Sequence, residues 1–199
     1  MPTPPAPTDI NTAEILLRAV AFAAERHRHQ KRKGIDADPY VNHPINVAAT
    51  MAGVAGVRDT DVMIAALLHD TVEDTKTTPD ELERRFGPTV RRLVAEVTDD
   101  KSLPKSERKR RQAEHAPQLS DAAKLIKLAD LASNVADLAD RPPKDWTLQR
   151  KREYVEWEER VAKGCRGVNA ALEAHLEKAL AEARKALGVT PGASEKPAS

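Results

Sequence analysis

Residues 65–75 read AALLHDTVEDT, an apolar run that ends abruptly in His69 and Asp70 and continues into Glu73 and Asp74. Adjacent residues of a helix point in different directions, so the His-Asp pair fits a helix end that faces a cavity. Because buried ionisable groups are costly unless they bind something, the stretch favours a divalent-metal site with carboxylates beside it. A helix C-terminus followed by a loose acidic loop is the alternative that the stretch alone leaves open.

The composition is that of a helical protein with little net charge. The 199 residues suit one domain with a sizeable core. The 32 Lys and Arg residues balance 31 Asp and Glu residues, so no global field attracts nucleic acid or membrane. Gly is sparse and aromatic residues make up 3%, so the core must be mostly Ala, Leu, Val and Ile. The single cysteine, Cys165, excludes an intramolecular disulfide and a Cys-based zinc site.

The sequence carries no targeting or membrane signal. Residues 1–8 are Pro-rich and have neither the basic nor the apolar segment of a signal peptide. No apolar run approaches the ~18 residues that a membrane span needs. We therefore expect a cytoplasmic protein that binds neither membrane nor nucleic acid, and the sequence predicts no oligomeric state.

Apolar periodicity and capping residues predict an all-α fold of about eight or more helices, in one domain over residues 11–187. The Pro-rich lead, residues 1–10, and the small polar tail, residues 188–199, are expected to be disordered. The last helical region should run from Thr147 to about Leu187. The predicted helix starts lie near Asn11, at Pro44, at Asp59 or Thr60, at Thr78, at Pro88, at Ser120 and at Thr147, and the candidate interruptions of the last region are Gly164 and Gly167.

The His-Asp pair needs further ligands to make a metal site, and the sequence offers two candidates. His43 lies just before a predicted helix, although a lone His there can equally be a cap or a packed interface residue. Asp130 interrupts an otherwise apolar helix stripe, with Lys127 as an alternative ion-pair partner. Asn134 lies four residues after Asp130, so the two share a helix face one turn apart.

Together these residues follow the order H…HD…D, and the chain resembles the HD-domain metal-dependent phosphohydrolases. Within them it is similar to the small alarmone hydrolases of the Mesh1 type and to the hydrolase domain of RelA/SpoT proteins. The resemblance covers roughly residues 12–185. It is carried by YVNHP at 40–44, AALLHDTVEDT at 65–75, FG at 86–87, VTDDK at 97–101, KLAD…N at 127–134 and EYVEW at 153–157.

The resemblance implies a metal centre with two imidazole and two carboxylate ligands: His43, His69, Asp70 and Asp130. The family metal is usually Mn²⁺, although these ligand types also fit Fe, Co and Zn. A bound dication activates water, and the resemblance assigns Glu73 as the catalytic acid/base with Asp74 assisting. The alternative for both acids is that they hydrogen-bond the ligand histidines.

The reaction that the resemblance implies is removal of the 3′-pyrophosphate from (p)ppGpp, which leaves GDP or GTP. The multiply charged nucleotide requires cations in its pocket. Arg32 would stack on the purine, and Lys33 would meet phosphate. The other implied substrate contacts are Lys101, Lys105 and Arg150 with distal phosphates, Asn134 with the ribose or leaving group, and Tyr154 with the nucleoside. Arg108, Lys109, Arg110 and Arg111 are instead interpreted as a solvated helix face.

Two alternatives remain beside the alarmone substrate. One is hydrolysis of another nucleotide, notably the 2′-phosphate of NADPH, and the other is a catalytically silent HD module that senses nucleotides. The intact acidic and histidine positions argue against the silent module. Leu131, Ala132 and Ser133 stand where the family pattern has a basic residue and bulkier side chains, which affects the expected packing near the base.

Overall fold

The computed structural model describes residues 7–34 and 36–188, with side chains from Thr12 onward. Within these ranges the chain forms ten α-helices, a 3₁₀ turn at Ala116–Gln118 and one isolated backbone bridge, between Lys31 and Pro39. The all-α prediction is confirmed. In chain order the helices are α1 (Pro7–Arg26), α2 (Asn42–Gly53), α3 (Thr60–Leu68), α4 (Thr71–Asp74), α5 (Pro79–Phe86), α6 (Pro88–Val97), α7 (Lys105–His115), α8 (Asp121–Asp140), α9 (Leu148–Cys165) and α10 (Ala170–Ala186).

Side-chain caps set several of the predicted helix starts. The Asp59 carboxylate accepts hydrogen bonds from the first backbone amides of α3, and Thr78 does the same at α5. Ser120 and Thr147 cap α8 and α9 in the same way. These contacts satisfy backbone N–H groups that have no partner within the helix, which fixes where each helix begins.

The first helix begins earlier than the sequence predicts. It starts at Pro7 rather than near Asn11, because proline is tolerated in a first helical turn, where its missing N–H has no partner to lose. Residues 7–10 therefore belong to α1 and not to a disordered lead. The rest of the predicted lead, residues 1–6, and residues 189–199 of the tail lie outside the described residues.

The last helical region breaks at one of the two predicted glycines. Helix α9 continues through Gly164 and ends at Cys165. Gly167 adopts a φ of 94°, a left-handed conformation that an L-residue rarely takes. Asn169 then caps α10 by accepting a hydrogen bond from the Leu172 amide.

Helices α3 and α8 form the centre of the packing. Helix α8 contacts α2, α3, α6, α9 and α10, while α3 also contacts α1, α2 and α6. The core between them is aliphatic, with Ile64, Leu68, Ile126 and Leu128 almost fully buried. Burying each such side chain stabilises the fold by about 1.5–3 kcal/mol. Polar side chains carried by these two helices are therefore held in a close-packed frame.

Helix α7 has a different environment. It buries none of its residues and packs on α9 and the 3₁₀ turn. The Trp157 indole donates a hydrogen bond of 3.0 Å to the Lys109 carbonyl, which ties α7 to α9.

No helix in the described part of the chain is long and apolar enough to cross a membrane, and the cytoplasmic location stays a prediction.

The close approach of α9 to the 3₁₀ turn makes Gly164 a sensitive position. A Cβ there would lie 2.6 Å from the Ala116 Cβ and 2.8 Å from the Pro117 Cδ. We expect Gly164→Ala to lower the free energy of unfolding by about 1–3 kcal/mol through overpacking, measured by urea denaturation. The clash should outweigh the gain in helix propensity, which is about 1 kcal/mol.

Gly53→Ala is the matched control, because Gly53 ends α2 and a Cβ there meets nothing within 4 Å. We expect this variant to be unchanged or more stable, by up to about 1 kcal/mol. Equal stability of the two variants would contradict the tight packing described at Gly164.

Candidate active site

Four side chains from separate elements converge beneath the surface. His43 is the second residue of α2, His69 follows the end of α3, Asp70 precedes α4, and Asp130 lies in the middle of α8. Nε2 of His43 is 3.1 Å from Oδ1 of Asp130, and Nε2 of His69 is 3.1 Å from Oδ2 of Asp70. The crossed distances are 3.7 Å from His43 to Asp70 and 3.8 Å from His69 to Asp130.

Both imidazoles are oriented through their other ring nitrogen. Nδ1 of His69 donates to the Ala66 carbonyl at 2.8 Å, and Nδ1 of His43 lies 3.1 Å from the Ser133 hydroxyl. Each Nε2 therefore faces the carboxylates. Nε2 of His69 is buried against Oδ2 of Asp70. Burial opposes protonation of His69, but the Asp70 charge outweighs it and raises the His69 pKa to about 9. A cation bound here would replace that proton. His43 caps no helix, so the cap interpretation is wrong.

Asp130 is held in place by two residues of its own helix, α8. Asn134 donates a hydrogen bond of 2.7 Å to Oδ1 of Asp130, which confirms that the two share a face. Lys127 donates to Oδ2 at 3.4 Å, so Asp130 has an ion-pair partner and also faces the histidines. Burial opposes ionisation of Asp130, but the Lys127 charge and the His43 contact outweigh it and hold its pKa below the usual range.

These side chains fit a divalent cation. His43, His69 and Asp130 place one ligand atom each within 4.8 Å of the others, and Asp70 lies next to both imidazoles. The two histidines are each 3% exposed. Mixed imidazole and carboxylate ligands suit a borderline divalent metal. Buried carboxylates are costly unless a cation compensates their charge, so a bound metal ion would stabilise this cluster.

Tyr40 links a potential ligand to one of the following acids. Its hydroxyl lies 2.6 Å from Oδ2 of Asp70 and 3.1 Å from Oδ2 of Asp74, and it shares its proton between them. The His27 ring stacks on Tyr40 with 4.8 Å between ring centroids. Sequence reasoning gave Tyr40 no role in the site, although its position three residues before His43 places it within reach of the cluster.

Glu73 lies in a mostly buried environment beside one amide donor and two cations. Oε2 accepts a hydrogen bond of 3.1 Å from the Asp99 amide, while the cations of Lys101 and Arg108 lie 3.7 and 3.8 Å from Oε1. Burial raises the pKa of the Glu73 carboxyl to about 6. None of these contacts is to a ligand histidine, so the alternative role for Glu73 finds no support. Arg108 is only a quarter exposed, and its interpretation as solvated is wrong.

Two neighbouring cavities surround this cluster. The inner cavity, of about 150 Å³, is lined by three of the potential metal ligands, His43, Asp70 and Asp130. Glu73, Lys127, Leu131 and Glu158 also lie on its wall. The outer cavity, of about 400 Å³, is lined by Arg32, Lys33, Tyr40, Asp74, Asn134, Asp137, Trp146 and Tyr154, among others. Tyr40, Asp74 and Asn134 contribute to both walls, so the two cavities adjoin.

The outer cavity gathers most of the predicted substrate contacts. Arg32 donates hydrogen bonds of 2.8 Å to both Asn134 and Asp137. Burial lowers the pKa of Lys105, and the nearby charges of Arg150 and Lys33 lower it further. Lys33 lines the cavity and Arg150 lies over Trp146 of its wall, so these three residues form a cationic rim at one edge of the cavity.

Two lysines depart from the expected arrangement. Lys101 forms ion pairs with Asp74 and Glu73, so its ammonium group is next to the acids rather than free at the rim. Lys109 lies over the rings of Tyr154 and Trp157, at 5.3 and 4.5 Å from their centroids, and is not a solvated residue. Arg110 and Arg111 do match the solvated interpretation, since both are exposed and pair with Glu107 on the same helix.

Sequence reasoning missed Trp146, which lines the outer cavity and lies 4.4 Å from the Arg150 guanidinium. The signal in the sequence was weak, because a single Trp before the Thr147 cap is equally typical of a packed residue.

The residues at 131–133 that depart from the family pattern lie beside the potential metal ligands. Leu131 is on the wall of the inner cavity and Ser133 contacts His43, so these departures lie beside the ligands.

The comparisons with known proteins agree with this geometry. A family profile described as HD domain matches residues 19–174. Guanosine-3′,5′-bis(diphosphate) 3′-pyrophosphohydrolase MESH1 of Danio rerio is 52% identical over 86% of this chain and 96% of its own length. The human protein of that name is 55% identical over 81% of this chain and 90% of its own length.

A solved structure supports the same assignment. The structure of a metazoan ortholog of SpoT that hydrolyzes ppGpp superposes with a TM-score of 0.83 and 44% identity. The match covers 91% of this chain and 98% of the other. The family profile, the relatives and the solved structure each match most of the chain. The chain therefore belongs to the HD domain family and, within it, to the MESH1-type proteins.

Proposed function

We propose that this protein is a hydrolase of guanosine-3′,5′-bis(diphosphate) that releases the 3′-pyrophosphate. The observation that carries the proposal is the pair of adjoining cavities, one with a cluster of metal-ligand type and the other with a cationic rim. A nucleotide with a phosphorylated 3′ position can place its base in the outer cavity and its 3′-phosphoryl group in the inner one. The MESH1 relatives are named for this activity, and the chain aligns with 90–96% of the length of the two relatives described above.

In this proposal His43, His69, Asp70 and Asp130 hold the divalent ion, and Mn²⁺ is its preferred identity. The two imidazoles and two carboxylates leave room for oxygen ligands, as Mn²⁺ requires. A divalent ion bound there lowers the pKa of a water molecule and polarises a phosphoryl oxygen. The Ala66 and Ser133 contacts keep both imidazoles in the orientation needed for binding.

Glu73 is the group that accepts the proton of the attacking water. The Asp99 amide fixes one of its oxygens, which leaves the other available to the inner cavity. As the water oxygen bonds to the phosphorus next to the ribose, the bond from that phosphorus to the 3′ oxygen breaks. Glu73 returns the proton that it took from the water to the 3′ oxygen, which leaves as a hydroxyl group, and pyrophosphate is released. Asp74 assists from a position that Tyr40 and Lys101 fix.

Recognition of the nucleotide falls to the outer cavity. Arg32 offers a planar guanidinium for stacking on the purine, while Tyr154 and Asn134 meet the nucleoside. Lys33, Lys105 and Arg150 supply positive charge for the phosphates, and Lys101 stays near the acids until substrate phosphate competes for it.

A turnover assay with product analysis tests the proposal. With Mn²⁺, the purified protein should convert ppGpp to GDP and pyrophosphate, and a chelator should remove this activity. Asp130→Ala should lower kcat by about 100-fold or more, since one ligand and the partner of Lys127 are lost together. His175→Ala, an exposed histidine on α10, is the matched control and should keep the wild-type rate. Phosphate release from NADPH without pyrophosphate release from ppGpp would contradict the proposed substrate.

The raised pKa of Glu73 predicts an acid limb in the rate profile. Only the ionised carboxylate accepts a proton, so kcat/KM should fall about tenfold per pH unit below a pH of about 6. Glu73→Gln should lower kcat by about 100-fold or more and abolish this limb. Glu83→Gln, at a half-exposed ion pair with Arg91, is the control. An acid limb that persists in Glu73→Gln would assign the proton to another group.

A further inference from the structure

Arg108 is a cation next to the proposed base, and the mechanism above gives it no role. It lies on α7, and its side chain is a quarter exposed. Nη1 is 3.8 Å from Oε1 of Glu73, which is close enough for an ion pair but too long for a hydrogen bond. Its Nε has no hydrogen-bond partner among the described residues. The terminal nitrogens of this guanidinium are therefore available to a further anion.

One face of α7 is turned towards the site. Lys105, Arg108 and Gln112 follow one another on it at spacings of three and four residues. Gln112 lines the inner cavity, and Arg108 contacts Glu73 on the wall of the same cavity. Arg110 is instead exposed and pairs with acids of its own helix. Helix α7 therefore presents Arg108, and not all of its cations, to the inner cavity.

Arg108 extends a series of positive charges that begins at the rim of the outer cavity. Burial lowers the pKa of Lys105, and the charges of Arg150, Lys33 and Arg108 lower it further, so these four cations lie near one another. The ammonium group of Lys101 is also beside the proposed base. Like charges gathered in this way repel one another, and a bound polyanion relieves the repulsion.

The structure has room for a second phosphate group on the α7 side of the inner cavity. A cavity of about 410 Å³, here called the α7 cavity, has Arg108 on its wall. It shares Val97, Asp99, Gln112 and Lys127 with the inner cavity and none of its lining residues with the outer one. The inner cavity therefore lies between the other two. A nucleotide with its base in the outer cavity and its reacting phosphorus in the inner one points its next phosphate towards Arg108.

We propose that Arg108 is a substrate-binding residue that holds the terminal phosphate of the 3′-pyrophosphate group. A planar guanidinium donates two parallel hydrogen bonds to phosphate oxygens, which suits this task. Arg108 is then also a specificity residue, because a substrate with a single phosphate, such as the 2′-phosphate of NADPH, has no group that reaches it. The inference rests on the proposed function for the orientation of the nucleotide, but the recognition itself requires only a diphosphate group.

Two substrates separate phosphate binding from an effect on Glu73. Guanosine 5′-diphosphate 3′-monophosphate has the reacting phosphate but lacks the terminal one. At about pH 8 the Glu73 carboxyl is ionised, and Arg108→Gln should lower kcat/KM for ppGpp on the order of tenfold to a hundredfold. For the 3′-monophosphate the variant should stay within about threefold of wild type. Hydrolysis of the 3′-monophosphate also shows that the variant is folded.

The matched control is Arg110→Gln, which removes the same charge from an exposed position on the same helix. It should leave kcat/KM for both substrates unchanged. Equal losses on the two substrates in Arg108→Gln would overturn the inference, because Arg108 would then act through Glu73 or through the fold. A wild-type kcat/KM for ppGpp in this variant would overturn it as well.

A binding measurement keeps the test independent of turnover, and it decides the matter if the 3′-monophosphate is not hydrolysed. In calorimetry of the Mn²⁺-loaded proteins, Arg108→Gln should bind inorganic pyrophosphate about tenfold more weakly than wild type, and inorganic phosphate equally well. If wild type does not hydrolyse ppGpp but this difference is found, the proposed function fails and the inference stands. Equal pyrophosphate affinities would overturn the inference even if ppGpp is hydrolysed.

Discussion

The structure depends on the burial of two carboxylates against two imidazoles at the junction of α2, α3 and α8. Asp70 and Asp130 each lie 3.1 Å from an imidazole nitrogen, in a place from which water is largely excluded. Negative charge in such a site is costly unless a cation compensates it. This requirement explains the supporting contacts, because three further residues donate hydrogen bonds to the two carboxylates. Lys127 and Asn134 each donate to one oxygen of Asp130, and Tyr40 donates to Asp70.

The helical frame makes this arrangement rigid. Helix α3 ends at Leu68, so His69 and Asp70 occupy the turn between two helices and face one cavity although they are adjacent in sequence. Helix α8 presents Asp130 from the opposite side, with buried aliphatic residues on either side of it. In the proposed function, recognition of the nucleotide depends on Arg32 and Lys33, which follow α1, and on Lys105 at the start of α7.

Local patterns pointed to part of the cluster. A His-Asp pair that ends an apolar run and an acid inside an apolar helix stripe are each unusual, and capping residues placed the helices that carry them. His43 breaks no such pattern, and the full set of four ligands was implied by the resemblance to the HD-domain family. The environments of Arg108, Trp146 and Glu158 could not be predicted, because they depend on how α7 and α9 pack beside α8. A charged residue in a strongly charged helix is expected to be solvated, and only the tertiary contacts show that Glu158 is buried.

Anomalous scattering from crystals of the Mn²⁺-loaded protein would show directly whether the four side chains bind a metal ion. We expect one strong peak inside the inner cavity, within about 2.0–2.4 Å of a nitrogen from His43 and His69 and an oxygen from Asp70 and Asp130. A parallel crystal of Asp130→Ala should lose that peak. A peak bound only by surface carboxylates, or no peak in the cavity under saturating Mn²⁺, would show that these four residues are not a metal site.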